Sequence, residues 1–371
     1  MLDRELIARC RASVAALERY QIAGVQRVGW GYKYVGGKRT DKICVSVGVE
    51  RKLAPHVLSP RGIRRVPSSV NDLPTDVREV GIYRAPRPLA ISVSPKSFTA
   101  RRRPAAGGDS IGHRDITAGT LGAWLRAGRD DLTHVILSNN HVLANSNDAV
   151  LGDFIYQPGP YDGGTDVANR VARLEQFVRI NFGNGDDKSP KKNSLGSLWF
   201  SVLAGIANAP ARWRNCPRRL VLTNLLKHRH GVLAVEQPSP NLVDAAIARE
   251  FGSGVVSPEI RNLGIPLGFR DLELGDKVMK SGRTTETTRG TVVVVEATAS
   301  VSYGTGKGIA QFRDQFIIES DDVSKFSAGG DSGSVILTED GFMVGLLFAG
   351  SDTETIANRM SNVISYLGVR L

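Results

Sequence analysis

Gly329-Gly330-Asp331-Ser332-Gly333-Ser334-Val335-Ile336 is the stretch on which the reading of this sequence turns. A serine sits between two glycines, after an aspartate, and the chain then enters an apolar run. Gly330 and Gly333 let the backbone turn tightly around Ser332, so that the amides of Gly330 and Ser332 can point together at a developing oxyanion. A serine hydroxyl is a poor nucleophile at neutral pH. It needs a base within hydrogen-bond reach, and imidazole has a suitable pKa.

Two stretches upstream can supply the remainder. Leu137-Ser138-Asn139-Asn140-His141-Val142-Leu143-Ala144 is a β run ending in a turn that presents a histidine. Asn241-Leu242-Val243-Asp244-Ala245-Ala246-Ile247-Ala248 embeds an aspartate in apolar residues. A carboxylate so placed can hold the imidazole tautomer and stabilise its cationic form. His141, Asp244 and Ser332 are therefore the candidate catalytic residues, and the Gly330 and Ser332 amides the candidate oxyanion hole. Asp153, Asp162 and Asp166 lie nearer His141 and are rivals for the carboxylate, but their Gly- and Pro-rich setting reads as turn.

In the order His, Asp, Ser these stretches resemble the trypsin-like (chymotrypsin-fold) serine peptidases. Gly330-Asp331-Ser332-Gly333 matches that family's nucleophile motif. Asn140-His141-Val142-Leu143-Ala144 resembles the histidine motif of its bacterial and HtrA-like branches. Lys280-Ser281-Gly282-Arg283-Thr284 resembles the opening of its second barrel. The similarity covers residues 111–371. An N-terminal hairpin and a long insert resemble the plant NARROW LEAF-type peptidases and their bacterial relatives. The resemblance implies a mostly β fold: a chymotrypsin-like double antiparallel β-barrel, the site in the cleft between barrels, preceded by a small α+β N-terminal domain. It also implies that Phe326, six residues before the nucleophile, lies at the base of the specificity pocket, with Phe348-Ala349-Gly350 as a wall. Phe326, Phe348 and Gly350 are the expected substrate pocket. With no acidic residue at 326, a small or medium apolar residue is expected before the scissile bond. No segment resembles the Ile-Val-Gly-Gly terminus that activates trypsin zymogens, so any regulation needs another device.

Outside these motifs, Leu2, Leu6, Cys10, Val14 and Leu17 recur at helical spacing and predict a helix over 2–20. Strand-like runs over 25–35 and 42–50 flank a glycine-bearing turn and predict a hairpin. In the second run Ile43, Val45, Val47 and Val49 alternate with Cys44, Ser46 and Gly48, which predicts one buried face. Residues 1–81 thus read as a small α+β domain and the Pro- and Arg-rich 82–110 as a linker. The peptidase domain is read over 111–371, with a basic helical insert at 183–237. In that insert Leu195, Leu198, Trp199, Val202, Leu203 and Ile206 predict an amphipathic helix over 195–206. Its apolar stripe is a possible route to a homo-oligomer.

The chain has 371 residues, 41% of them hydrophobic and 23% charged, which fits a globular protein and excludes a disordered or collagenous one. Net charge is +11. Residues 1–104 hold 21 Lys and Arg against 8 Asp and Glu, and residues 170–237 hold 12 against 4. Such basic regions can attract nucleic acid or an anionic membrane surface, though a solvated face needs neither. The three scattered cysteines (Cys10, Cys44, Cys216) argue against a disulfide framework or a Cys-cluster metal site. His228-x-His230 lacks an evident third ligand, and no metal or other cofactor is expected. A charged N-terminus and no long apolar run predict a soluble cytoplasmic protein. The function expected is a serine endopeptidase acting on protein or peptide substrates. The alternative is a catalytically silent binding or regulatory protein on the same fold.

Overall fold

The structure is a computed structural model that describes residues 3–20, 22–58, 63–85, 98–127, 133–182, 220–222, 233–304, 306–322 and 324–371. The protein is mostly β, as the short alternating runs predict, and two sheets curled as half-barrels dominate it. The first runs in the order Val369–Arg370, Ala123–Ala127, His134–Ser138, Ala246–Glu250, Arg170–Val178, Phe154–Tyr156, Ser110–His113 and Gly119–Thr120. Its register brings two candidate stretches together. Ser138 stands opposite Ala246 on antiparallel strands, so the chain leaving one strand toward His141 meets the chain entering the other from Asp244.

In the second sheet six strands pair in a ring. The order is Lys277–Gly282, Val335–Thr338, Phe342–Gly350, Thr355–Arg359, Ile309–Ser320 and Glu286–Ser302, which returns to pair with Lys277–Gly282. The Glu286–Ser302 strand is 17 residues long, and it also pairs with Val25–Val35, placing Trp30 opposite Val295. Val25–Val35 forms the predicted hairpin with Lys38–Val49, and Leu73–Glu79 adds to the latter in parallel.

The predicted N-terminal helix is Arg4–Glu18, capped by the Asp3 carboxylate, which accepts from the Glu5 amide at 3.3 Å. It buries Cys10, Val14 and Leu17. These pack in one cluster with Trp30, Val45 and Val47 and with Val278, Val292, Phe316 and Ile336 of the ring. Each Val or Leu buried there contributes about 1.5–3 kcal/mol. The N-terminal α+β unit therefore shares both sheet and core with the second barrel. Its second strand departs from the predicted pattern: Cys44 and Ser46 are buried along with Val45 and Val47. The Arg27 side chain covers the Ser46 face and donates to Ser46 Oγ at 2.9 Å.

Leu125, Leu137 and Ile247 of the first sheet, with Val243 just before it, share a cluster with Val335, Leu337 and Leu346 of the second, closed by Met360, Val363 and Tyr366 of the helix Met360–Leu367. The seam beside the candidate site is thus solid core. Within 82–110, Tyr83–Arg84 joins the second sheet and Ala105–Gly107 pairs with Val256–Ile260. The helix predicted over 195–206, and His228 and His230, lie outside the described residues. Inside the insert two short strands are described, Leu220–Leu222 and Leu233–Val235, and the latter pairs with Arg170–Val178. No helix among the described residues is long and apolar enough to cross a membrane.

Candidate active site

His141 lies in a four-residue helix, Asn140–Leu143, just beyond the strand His134–Ser138. Side chains on both sides pin this turn. Asn140 Nδ2 donates to the Val178 carbonyl at 2.6 Å, and its Oδ1 accepts from the Asn147 amide at 3.0 Å. Asn139 Nδ2 donates to the Asp244 carbonyl at 2.7 Å. The Asp244 amide donates to Asn358 Oδ1 at 3.0 Å. With both backbones held, Asp244 Oδ2 lies 2.6 Å from His141 Nδ1, and Oδ1 accepts from the His141 amide at 3.2 Å. Asp244 is fully buried. A carboxylate on Nδ1 assigns the proton to that nitrogen and leaves Nε2 as the acceptor. Nε2 is buried and, among the described residues, has no hydrogen-bond partner.

The Ser332 turn is built by contacts from both sheets. Thr120 is the bracket between them: its amide donates to the Ser332 carbonyl at 2.8 Å and its hydroxyl to the Gly330 carbonyl at 2.8 Å. Its own carbonyl accepts from Ser138 Oγ at 2.8 Å, three residues before His141. Gly330 and Gly333 adopt φ +102° and +96°. A Cβ at Gly333 would lie 2.0 Å from Ser138 Oγ, so the close approach of this turn to the histidine strand requires glycine. Among the described residues neither the Gly330 nor the Ser332 amide donates to a protein group, which leaves both available to an anionic oxygen.

Asp331 anchors the same turn from beneath. It accepts from the amides of Thr284 at 2.7 Å, Thr285 at 3.1 Å and Ala328 at 2.9 Å, and from the Thr285 hydroxyl at 2.7 Å. The Lys280 ammonium lies 3.6 Å from it, and both side chains are fully buried. Burial pushes the Lys280 pKa below the ordinary lysine value, against the pull of Asp331. Lys280-Ser281-Gly282-Arg283-Thr284 thus supplies an internal cation and one of the amides that fix the aspartate before Ser332.

Ser332 is buried and its Oγ donates to the Phe348 carbonyl at 3.4 Å. The structure brings His141 and Asp244 into contact but does not join Ser332 to His141 by a hydrogen bond. In resting sites such bonds are often loose and tighten only with substrate. Two of the rival carboxylates are held elsewhere, and the third, Asp166, is exposed. Asp153 is 3.2 Å from His113 Nε2. Asp162 accepts from Arg283 Nε at 2.9 Å and Ser110 Oγ at 2.5 Å, and Asp166 precedes the 3-10 turn Val167–Asn169. Of the expected pocket residues, Phe326 and Phe348 are both buried, in different clusters. Phe348 packs on Phe312 with ring centroids 4.6 Å apart. Gly350 ends the strand Phe342–Gly350 opposite Thr355. Among the described residues no group of three His, Cys, Asp or Glu side chains could hold a metal ion.

Sequence reasoning missed Tyr303. Its hydroxyl donates to Asp244 Oδ2 at 2.7 Å, from the end of the second-sheet strand across to the first. Its ring meets His141 edge-on at 6.0 Å between centroids. Burial and the Asp244 charge raise its pKa well above the usual phenol value, so it stays protonated and donates. Nothing in the alternation of its strand marks this tyrosine; only the meeting of the two sheets does.

A family described as the Nal1 C-terminal domain matches residues 260–357, which is consistent with a Nal1-type family. The sequence matches no curated protein. Among solved structures the chain is similar to protease A of Thermobifida fusca, at 15% identity, covering 72% of this chain and 98% of that one with a TM-score of 0.41. It is likewise similar to Nocardiopsis protease, at 13% identity over 72% of this chain and 99% of that one, TM-score 0.41. Cellulomonas bogoriensis chymotrypsin follows at 13% identity over 72% and 97%, TM-score 0.40. All three are bacterial.

Proposed function

We propose that this chain is a serine endopeptidase that hydrolyses peptide bonds through an acyl-enzyme. The observation that carries this reading is the buried carboxylate of Asp244 on His141 Nδ1 at 2.6 Å, with Nε2 left as the one ring nitrogen able to accept a proton. Ser332 Oγ attacks the scissile carbonyl carbon while His141 Nε2 takes its proton. The Gly330 and Ser332 amides receive the oxyanion. His141 returns the proton to the leaving amine, the acyl-enzyme forms, and water repeats the cycle with His141 as base. A protease-like fold of this kind binds protein or peptide substrates in general, and the match over residues 260–357 is consistent with a Nal1-type family. Neither Phe326 nor Phe348 brings a fixed charge, which supports a small or medium apolar residue before the scissile bond.

The second reading, a silent binding protein, is favoured by the Ser332 hydroxyl, which faces the Phe348 carbonyl rather than His141. A fluorophosphonate probe and a proteome-derived peptide library separate the two. The peptidase labels at Ser332 and cleaves after Ala, Val or Leu. No label and no cleavage at any pH sinks the catalytic reading, and dominant cleavage after Arg sinks the pocket.

In this reading Tyr303 is a positioning residue that acts through Asp244. Tyr303→Phe removes one hydrogen bond to a buried carboxylate, worth about 1.5–3 kcal/mol. The expected result is a fall of about 10- to 100-fold in kcat with little change in KM. An unchanged kcat with only a lowered Tm would reduce Tyr303 to core packing.

A further inference from the structure

A buried ion pair ties the first 84 residues to the rest of the chain. Arg27 of the N-terminal hairpin donates to both carboxylate oxygens of Glu354, Nε at 2.8 Å and Nη2 at 2.7 Å. Both side chains are fully buried. The Tyr83 hydroxyl donates to the same carboxylate while also accepting from Arg27 Nε at 3.0 Å. Arg78 lies 3.8 Å from Glu354 and pairs with Glu319. Two cations and a phenol from the N-terminal region thus converge on one carboxylate of the second barrel. A hydrophobic contact would dock the hairpin without desolvating charge, and the docking already has Val45, Val47 and Trp30. Such a pair adds little net stability over packed apolar side chains, but removing one partner alone is costly.

Glu354 sits where this pairing reaches the candidate site. Its carbonyl accepts from the Ser351 amide at 2.8 Å, which shapes the loop between two ring strands. The next residue, Thr355, shares a 2.6 Å hydroxyl bond with Ser327. Ser327 adjoins Ala328, whose amide donates to Asp331 Oδ2 at 2.9 Å and whose carbonyl accepts from the Asp331 amide at 3.0 Å. Asp331 precedes the nucleophile. Arg84 meanwhile pairs with Gly350 from the other side. A cavity of about 290 Å³ opens between these loops, lined by Arg78 from the N-terminal region, by Phe326 and Ser327, and by Asp352 to Thr355.

We infer that the N-terminal region is a built-in clamp for the site: Arg27 and Tyr83, holding Glu354, set the mutual position of the 324–332 and 351–355 loops. The clamp residues are positioning residues, acting on the substrate-binding loops and not on the reacting atoms. The inference rests on the peptidase reading for its kinetic consequence but not for its structural one. It gives the chain a regulatory handle of its own, since whatever loosens the hairpin loosens the site.

The test uses the full chain. Arg27→Met alone strands a buried carboxylate and can fail to fold, so the informative variant is the double Arg27→Met/Glu354→Met, with Arg27→Lys as the conservative partner. Hydrogen–deuterium exchange is followed in peptides covering 324–332 and 351–355, and kcat/KM is measured on a peptide well below the variant's melting temperature. The clamp predicts faster exchange in both loops together. It also predicts a loss of about 10- to 100-fold in kcat/KM, mostly in KM, the scale expected when a site is displaced without loss of its chemistry. Arg27→Lys should recover part of each. Unchanged exchange at 324–332 in the folded double variant overturns the clamp, as does wild-type kcat/KM. If the wild type neither cleaves peptides nor labels with fluorophosphonate, the peptidase reading fails and the exchange result alone decides the clamp.

Discussion

Ser332→Ala is expected to abolish peptide hydrolysis and fluorophosphonate labelling while leaving the protein folded. The size of the loss follows from what the hydroxyl does. Without it there is no acyl-enzyme, and comparable nucleophile deletions cost on the order of 10⁶ in kcat. Residual turnover would come from the Gly330 and Ser332 amides acting on direct attack by water. The folded state should hardly notice. The Ser332 hydroxyl makes one long bond, 3.4 Å to the Phe348 carbonyl, and a bond of that length contributes less than about 1 kcal/mol. The amide at 332 is untouched, so the turn keeps its Asp331 and Thr120 anchors. Purified Ser332→Ala protein with wild-type turnover would remove Ser332 from the mechanism. A variant that loses both activity and Tm would show the serine holding the turn together.

The three candidate stretches are legible in the sequence because their signals are local. Gly330 and Gly333 are demanded by positive φ and by Ser138 against the backbone, and an aspartate in an apolar strand has few uses. Periodicity likewise gives the Arg4–Glu18 helix and the hairpin. What sequence reading misses is cross-sheet. Tyr303 reaches Asp244 over 59 residues, Thr120 reaches Gly330 over 210, and Arg27 reaches Glu354 over 327. None belongs to a pattern with a period. The N-terminal unit reads as separate because composition changes after residue 81, yet hydrogen bonding along Glu286–Ser302 is indifferent to composition. Alternation in Lys38–Val49 also misled, since burial on both faces leaves no polar face to see. Phe326 is found in sequence only by its distance from Ser332; in the structure it belongs to the cluster of Val278, Val292 and Phe316 and also lines the cavity beside Ser327.

Asp244→Asn should be severe for a reason that depends on donor and acceptor count. Asp244 accepts three hydrogen bonds, from the His141 amide on Oδ1 and from His141 Nδ1 and the Tyr303 hydroxyl on Oδ2. An asparagine has one oxygen and one NH₂ group for the same places. With NH₂ toward Oδ2's position it donates to Nδ1, the imidazole proton moves to Nε2, and the base can no longer accept from Ser332. Tyr303 can turn to accept, so this arrangement is tolerated structurally. With NH₂ toward Oδ1's position it opposes the fixed His141 amide, two donors face each other in a buried site, and the cost is about 1–3 kcal/mol. The first arrangement is therefore favoured, and it is the inactive one. A fall in kcat on the order of 10⁴ is expected, the scale seen when a triad aspartate is amidated, with KM nearly unchanged and Tm lowered only slightly. Asp153→Asn serves as the control, because Asp153 faces His113 and lies outside this network. It should cost stability and leave kcat within a few-fold of wild type. A near-native Asp244→Asn beside an inactive Asp153→Asn would mean that the carboxylate resting on His141 is not the one the reaction uses.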